Sequence, residues 1–404
     1  MEQNDMTMRG SLADIRVIDA SRVLGGPYAG QVLADHGADV IKIEPPAGDE
    51  TRGWGPPFLD GTASYFLGLN RNKRGMALDM SQPAGQELLL RLLANADVFI
   101  ENFKTGTLER WGLTREELER RFPRLIHCRI SGFGGDGPMG GLPGYDAAIQ
   151  ASCGIMSVNG ELGGDPLRVG LPVVDMVTGL NAAIGVLMAL NERVSSGKGQ
   201  FIETALYDCG VSLLHPHLPN YYLSGKVAKP SGNAHPNICP YDTFATKTDP
   251  IFLAVGNNRQ FEILCRMVGR PELPRNPLFA DNAERSINRD ALKVELEQAL
   301  ANHECETLAD ELIKAGVPCG AVRTIDQVIA DEHTHHREMI VEIDNYRGTG
   351  SPIKLSRTPA NYTRKPPQFA EHTREILEEI AAEPEAYGAV LPGLEEPALK
   401  TRRA

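Results

Sequence analysis

An α/β fold with a doubly wound parallel sheet, followed by a smaller α/β unit, is what this 404-residue sequence predicts. Three observations carry that reading. Short branched, apolar runs recur through the first two hundred residues, each followed by a stretch with helical spacing, as strands covered on both faces require. The chain is 42% hydrophobic and 23% charged, ordinary for a globular protein, and long enough for two or three units with real cores. A segment rich in His, Pro, Asn and Gly (215–240) then separates this alternation from a second strand–helix series.

In order, "IRVIDAS" (15–21) reads as a buried strand and "PYAGQVLADHGA" (27–38) as a short amphipathic helix, with "DVIKIE" (39–44) a strand again. A Gly/Pro-rich loop (45–62) leads to the strand-like "MALDM" (76–80), a helix (84–96) and "DVFIEN" (97–102). A helix over 107–121 precedes the strand "LIHCRISGFG" (125–134). The strongest helix is 176–194, where Gly179, Ala182, Ala183 and Gly185 keep one face slim, and glycines near 197 stop it. "FIETAL" (201–206) is a strand running into a helix. In the second series, "IFLAVGNNRQFEILCRMVG" gives a strand, a tight turn and a helix, and 291–322 two further helices and a strand. "SPIKLSRTP" (351–359) reads as a strand returning to the first domain, and the tail contains a helix.

Composition excludes several functions. A net charge of −12 without a long basic run argues against nucleic-acid binding, although local cations can still hold an anionic ligand. Seven cysteines, never spaced C-x-x-C, argue for reduced thiols rather than disulfides or a zinc cage. The N-terminus lacks the layout of a signal peptide, and no apolar run is read as approaching the ~18 residues of a membrane span; a cytoplasmic enzyme without a membrane partner is expected. His333, His335 and His336 lie in a polar run without an apolar frame, so no metal site is expected. There is no G-x-S-x-G for Ser-His-Asp hydrolysis and no G-x-x-x-x-G-K-[ST], and the turn "RVLGGPYAG" (22–30) lacks the G-x-G-x-x-G spacing, which disfavours classical dinucleotide or nucleoside-triphosphate binding.

Other stretches have two readings each. "RVLGGPYAG" (22–30), between a strand and a helix, is an anion cradle or a tight turn. Arg71, Lys73 and Arg74 in "NRNKRG" are a phosphate cluster or a solvated turn. In "ENFKTGTLERWG" (101–112), at the ligand edge of a parallel sheet, Asn102 and Phe103 suit an adenine or pantetheine arm and Arg110 a phosphate; Arg110 equally decorates a helix. Asp175, the lone carboxylate of "GLPVVDMVTGLNAAIGVL" (170–187), is a helix N-cap or a reactive acid in a dry pocket.

Taken together, "VIDASRVLGGPYAGQVLADHGADVIKIEPPAGDETRGW", "NRNKRGMALDM", "DVFIENFKTGTLERWG", "ISGFGGDGP", "GYDAAIQASCGIM", "VVDMVTGLNAAIGVLMAL" and "GKGQFIETAL" resemble, in order over residues 10–210, the family III CoA-transferases, or CaiB–BaiF family. The resemblance implies a Rossmann-like large domain and a small domain forming a ring, with two rings interlocked in a homodimer. It divides the chain into a large domain beginning at 1–214, a linker at 215–240, a small domain at 241–325, and a linker and C-terminal segment at 326–404 that returns to the large domain.

By the same resemblance Asp175 is the catalytic carboxylate, Val23, Leu78, Asn102, Phe103 and Arg110 contact CoA, and Tyr145 lies near the thioester. Gly256, Asn257 and Asn258 match the turn that covers the active site. Leu24 stands where formyl-CoA:oxalate transferases carry Gln, and "AVGNNRQF" replaces their glycine run. This points to longer dicarboxylates such as succinate or itaconate. Related acyl-CoA racemases have "GHD" where this chain has "GYD", and a phenol is a poor substitute for that imidazole.

The implied reaction passes CoA from an acyl-CoA, with succinyl-CoA expected, to a carboxylic acid through aspartyl anhydride and aspartyl-CoA intermediates on Asp175. CoA is then a substrate and no tightly bound cofactor is needed. Backbone N–H groups at the start of the 176–194 helix or at the Gly256 turn are expected to hold the oxyanion, and Arg52 or Arg168 a distal carboxylate.

Overall fold

The computed structural model describes residues 9–383, so the N-terminal octapeptide and the expected C-terminal segment beyond Glu383 lie outside the described residues. The described residues form two compact units, one of residues 9–153, 170–212 and 335–383, the other of 154–169 and 213–334. Residues 154–169, expected in the large domain, belong to the second unit, and that unit runs on to 334.

The first unit is built on β1 (Arg16–Asp19), β2 (Asp39–Glu44), β3 (Lys73–Ala77), β4 (Val98–Glu101), β5 (Ile126–Ser131) and β6 (Phe201–Ala205). All pairings are parallel, in the order β3-β2-β1-β4-β5-β6. The order reverses between β1 and β4, which opens a crevice at the carboxyl ends of those strands. Helices α1 (Gly25–Asp35), α2 (Pro83–Ala94), α3 (Asp146–Ser152) and α4 (Val173–Ser196) accompany the sheet. One core layer joins Ile18, Ile41 and Phe99 of the strands to Leu88, Leu89 and Leu92 of α2 and to Ile376 and Ile380 of the helix Thr373–Ala382.

Helix α4 covers the sheet beside α1, and its small residues have the packing role their spacing suggests. A Cβ on Gly179 would stand 2.5 Å from the Gly25 carbonyl oxygen, too close for any side chain, and one on Gly185 would press Ile202 at 3.1 Å. Contrary to the sequence reading, α4 is long and apolar enough to cross a membrane, with a mean hydropathy of 1.9 over an 18-residue window. One buried acid does not break the window, and a helix packed in a core passes the same test. Ala182, Ala183, Val186 and Ala189 are buried on its inner face.

Three further expectations change. The third strand begins at Lys73, not Met76, because its cations are paired in the interior. The 107–121 helix is two short ones, Thr107–Arg110 and Arg115–Arg121, broken at Gly112 with φ of 72°. Residues 351–359 form no strand; the strands there are the antiparallel pair Ile340–Ile343 and Tyr346–Thr349. The chain beyond them runs along β3, with Asn72 N–H donating to Arg364 O (2.9 Å) and His372 N–H to Gly75 O (2.9 Å).

The second unit has an antiparallel sheet of β7 (Tyr241–Phe244), β8 (Ile251–Ala254) and β9 (Cys319–Ala321), with β8 central. Helices α5 (Asn258–Met267), α6 (Arg289–Leu300) and α7 (Cys305–Lys314) supply Phe261, Leu264, Leu292, Leu296, Leu308 and Leu312 to its core.

Candidate active site

A cavity of about 310 Å³ opens at the carboxyl ends of β1, β4 and β5, the place the strand order favours. Val23, Leu24, Asn102, Phe103, Tyr145 and Asp175 all line it, brought together from four separate stretches of sequence. Arg22, Glu50 and Lys104 also line it and are not singled out by sequence, since isolated charges in loops carry no pattern.

Asp175 is not the N-cap of α4. The helix begins two residues earlier, with Pro172 in the capping position and no side-chain cap, so Asp175 sits inside the first turn. The work of a cap falls to Asp146, at the start of α3. Its Oδ1 accepts the N–H of Val174 (2.8 Å) and of Asp175 (3.2 Å), while its Oδ2 accepts from Gln150 Nε2 (2.6 Å). Nothing in sequence marks this role, because the two carboxylates are 29 residues apart.

Asp175 is only 8% exposed, and among the described residues no donor reaches its carboxylate. Burial, and secondly the nearby Asp146 charge, raise its pKa from 3.8 to about 7. A buried carboxylate ordinarily has a cation or donors; this one has a second acid. The same carboxylates act on Tyr65, whose hydroxyl is pushed up to about 12 by burial first and then by Asp175 and Asp146.

The turn from β1 into α1 lines the cavity next to Asp175. The Asn102 carboxamide holds it at two points, Oδ1 accepting from Arg22 N–H (2.9 Å) and Nδ2 donating to Arg22 O (2.8 Å). Val23 then takes a left-handed conformation at φ 70°, which costs a β-branched residue of order 1–3 kcal/mol. Phe103 is fixed by its N–H to Glu101 Oε2 (2.8 Å) and by an edge contact with Trp111.

Other expected ligand residues are engaged elsewhere. Arg71 is buried and bonds Asp35 through Nε (2.9 Å) and Nη2 (2.6 Å). Lys73 spends its three donors on Asp19 (2.9 Å), Pro27 O (2.7 Å) and Asn70 Oδ1 (2.9 Å). Arg74 pairs with Asp39, Glu375 and Glu379. The cluster is therefore structural, its charges neutralised in the interior, and the phosphate reading is corrected. Leu78 lies in the core with Met80 and Leu88 and is not among the residues lining the cavity. Arg110 is exposed, with Nη2 on Thr107 Oγ1 (2.9 Å), and is not among the lining residues. Arg52 grips Glu44 at 2.7 Å through two nitrogens and lies over the Phe66 ring, which leaves it no face for a substrate carboxylate.

Arg168 belongs to the second unit. So do Gly256, Asn257 and Asn258, which organise the start of α5. Asn257 Oδ1 caps Gln260 N–H (2.9 Å), Gly256 N–H donates to Gln260 Oε1 (2.8 Å), and Asn258 Oδ1 accepts from Arg285 (2.9 Å). The expected oxyanion donors are occupied as well. Like the Gly256 amide, those at the start of α4 are engaged: Val173 donates to Leu171 O (2.8 Å), Val174 and Asp175 to Asp146, and Met176 to Pro172 O (3.0 Å). At the start of α1, Gly25 lines the cavity, and the first N–H groups of a helix have no acceptor within it. Among the described residues no group of three His, Cys, Asp or Glu is arranged to hold a metal.

The model of CoA-transferase family III matches residues 12–373. The succinate–glutarate CoA-transferase of Agrobacterium fabrum is 39% identical over 385 residues, covering 91% of this chain and 95% of that protein. The human succinyl-CoA:glutarate CoA-transferase is 36% identical, covering 94% and 88%. The succinyl-CoA:mesaconate CoA-transferase of Haloarcula hispanica is 37% identical, covering 92% and 96%. A crystal structure of a CAIB/BAIF family protein from Brucella suis superposes with a TM-score of 0.83 at 41% identity, covering 92% of this chain and all of that one.

Proposed function

We propose, from the premise that this chain belongs to CoA-transferase family III and is a CoA-transferase, that it moves CoA from succinyl-CoA to a five-carbon dicarboxylic acid with Asp175 as nucleophile. The observation that carries the reading is the buried, unpartnered Asp175 carboxylate facing the cavity. The acids in the relatives' names, glutarate and mesaconate, suggest the acceptor class.

The Asp175 carboxylate attacks the thioester carbonyl, and the C–S bond breaks to give an aspartyl–succinyl anhydride and CoA thiolate. The thiolate attacks the aspartyl carbonyl, releasing succinate and leaving aspartyl-CoA. The acceptor carboxylate attacks that thioester, and returning thiolate cleaves the new anhydride to form the product thioester and free Asp175. One thioester replaces another, so neither ATP nor a resident cofactor is required.

Low hydration makes the carboxylate a better nucleophile and protects the anhydride from water. The Gly25 amide is our choice for the oxyanion donor in place of the occupied amides of α4. Arg22 and Lys104, which line the cavity and form no salt bridge among the described residues, bring positive charge to an anionic ligand.

The proposal includes a cytoplasmic homodimer. Reduced thiols suit that compartment, and Leu180, Ile184, Leu187, Met188 and Val194 leave one face of α4 apolar and exposed for a second copy. The test incubates the enzyme with succinyl-CoA and a panel of C3 to C6 mono- and dicarboxylic acids, read by mass spectrometry. Product thioesters should peak at C5 dicarboxylates, and hydroxylamine added during turnover should modify Asp175. Deuterium uptake at the α-carbon of a 2-methylacyl-CoA, with no acyl exchange, would identify a racemase instead.

A further inference from the structure

We propose that Asn102 is a positioning residue: it holds the β1–α1 turn in the strained conformation that lines the cavity next to Asp175. The inference rests on the cavity around Asp175 being the active site. It departs from the expectation that Asn102 contacts CoA.

The parallel ladder between β1 and β4 is extended by Ala20 N–H to Ile100 O (2.9 Å). Beyond that rung the strands diverge, and the next bonds come from a side chain. The Asn102 carboxamide takes both polar groups of Arg22, N–H at 2.9 Å and C=O at 2.8 Å, as a neighbouring strand would. One acceptor and one donor of the carboxamide are thereby committed to the backbone.

The backbone immediately after Arg22 needs such a brace. Val23 has φ of 70°, a region open to glycine but strained for a β-branched residue. Nothing local favours it. Leu24 then occupies the capping position of α1 without a side-chain cap. The strained turn sets where α1 begins, and α1 begins against Asp175: a Cβ on Gly25 would lie 3.4 Å from the Asp175 carbonyl oxygen. Gly25 O, in turn, meets Gly179 with no room for a side chain. A continuous set of contacts therefore runs from Asn102 through Arg22, Val23 and Gly25 to the turn that carries the nucleophile. Release of the Arg22 backbone lets Val23 return to negative φ and shifts the Gly25 amide away from Asp175.

A double-mutant cycle separates this role from ligand contact. Asn102→Ala is made in the native background and in a Val23→Gly background, and steady-state CoA transfer from succinyl-CoA is measured in all four proteins. Glycine accepts φ of 70° without strain, so the brace matters less there. In the native background Asn102→Ala should lower kcat by about 30-fold or more with little change in the KM for succinyl-CoA. In the Val23→Gly background the same substitution should cost at least about tenfold less. Asn102→Asp, which keeps the acceptor and loses the donor, should show the same dependence with a smaller loss. An equal loss in both backgrounds, or a loss confined to KM, overturns the positioning role while leaving Asp175 as nucleophile. No loss in either background likewise overturns the positioning role, and the placement of the active site stands or falls separately on the turnover of Asp175→Ala.

Discussion

Asp19 and Asp175 are two buried aspartates of the same unit with opposite surroundings. Asp19, the last residue of β1, has Lys73 Nζ at 2.9 Å and accepts from the Ser21 backbone and hydroxyl. Burial alone would raise its pKa, but Lys73, Lys42 and the Ser21 hydroxyl hold it below the ordinary value. Asp175 has no donor among the described residues and a second carboxylate nearby, so burial and charge act in the same direction and raise it to about 7. Burial by itself thus does not make an acid reactive. The partner decides: a cation converts a buried carboxylate into structure, and the lack of one leaves it available for chemistry.

The largest expected effects break the comparison from each side. Asp175→Ala should reduce CoA transfer on the order of 10⁴-fold or more with the fold retained, as removal of a nucleophile does. Asp19→Ala removes the carboxylate that keeps the buried Lys73 amine charged, its pKa already lowered by burial to about 8, and breaking this pair should cost about 3–5 kcal/mol of unfolding free energy. Turnover assays and urea unfolding monitored by circular dichroism read the two. Near-native turnover by Asp175→Ala removes it as nucleophile, and a native unfolding midpoint for Asp19→Ala removes the structural role of the pair.

The contrast also shows what was legible in sequence. Strands β1, β2, β4 and β5 announce themselves by branched apolar residues covered on both faces, unbroken in Val17–Ile18 and Val98–Ile100 and interrupted by Lys42 in β2 and by His127 and Arg129 in β5. The slim face of α4 is visible as Gly179, Ala182, Ala183 and Gly185 because helical periodicity is local. The fate of "NRNKRG" is not local. Arg71 is neutralised by Asp35 and Lys73 by Asp19, partners 36 and 54 residues away, and a charge run written without its partners looks solvated. Asp175 is identifiable as a singular carboxylate and, through the family resemblance, as the expected nucleophile. Its exclusion from the capping position is hidden, because Asp146 arrives from another helix to bond the first-turn amides.

A stability measurement sharpens the comparison at the level of a few kcal/mol. Since the folded pKa of Asp175 lies near 7 against an ordinary 3.8, the native state holds the proton more tightly across that interval. Stability contributed by this group therefore falls as pH rises from about 4 to 7 and stays low above it. Asp175→Asn removes the charge while keeping the shape. It should unfold later than the native protein at pH 8, by no more than about 4 kcal/mol, and the difference should fade toward pH 4. Thermal and urea unfolding at the two pH values test it. An Asn variant less stable at pH 8 would mean that the carboxylate has a stabilising partner after all.

The smallest effect isolates the Asp146 charge. In the native enzyme kcat/KM should rise through a midpoint near 7 as Asp175 loses its proton. Titratable and charged groups around Asp175 are Asp146 on α3, Tyr65 on the short helix Ser64–Leu67, and the lining residues Arg22, Glu50, Lys104 and Tyr145. Asp146→Asn removes one of these charges and keeps an oxygen able to accept the Val174 and Asp175 amides. Gln150 can turn its carboxamide to present an oxygen to the new NH₂ group. The brace survives and the repulsion does not. Because burial is the larger cause, the midpoint should drop on the order of one unit and remain above the ordinary carboxylate range. An unchanged midpoint would assign the whole shift to burial. Asp146→Ala loses brace and charge together, so its kcat should fall further than that of the Asn variant, and the difference between the two measures what capping α4 contributes to holding the nucleophile in place.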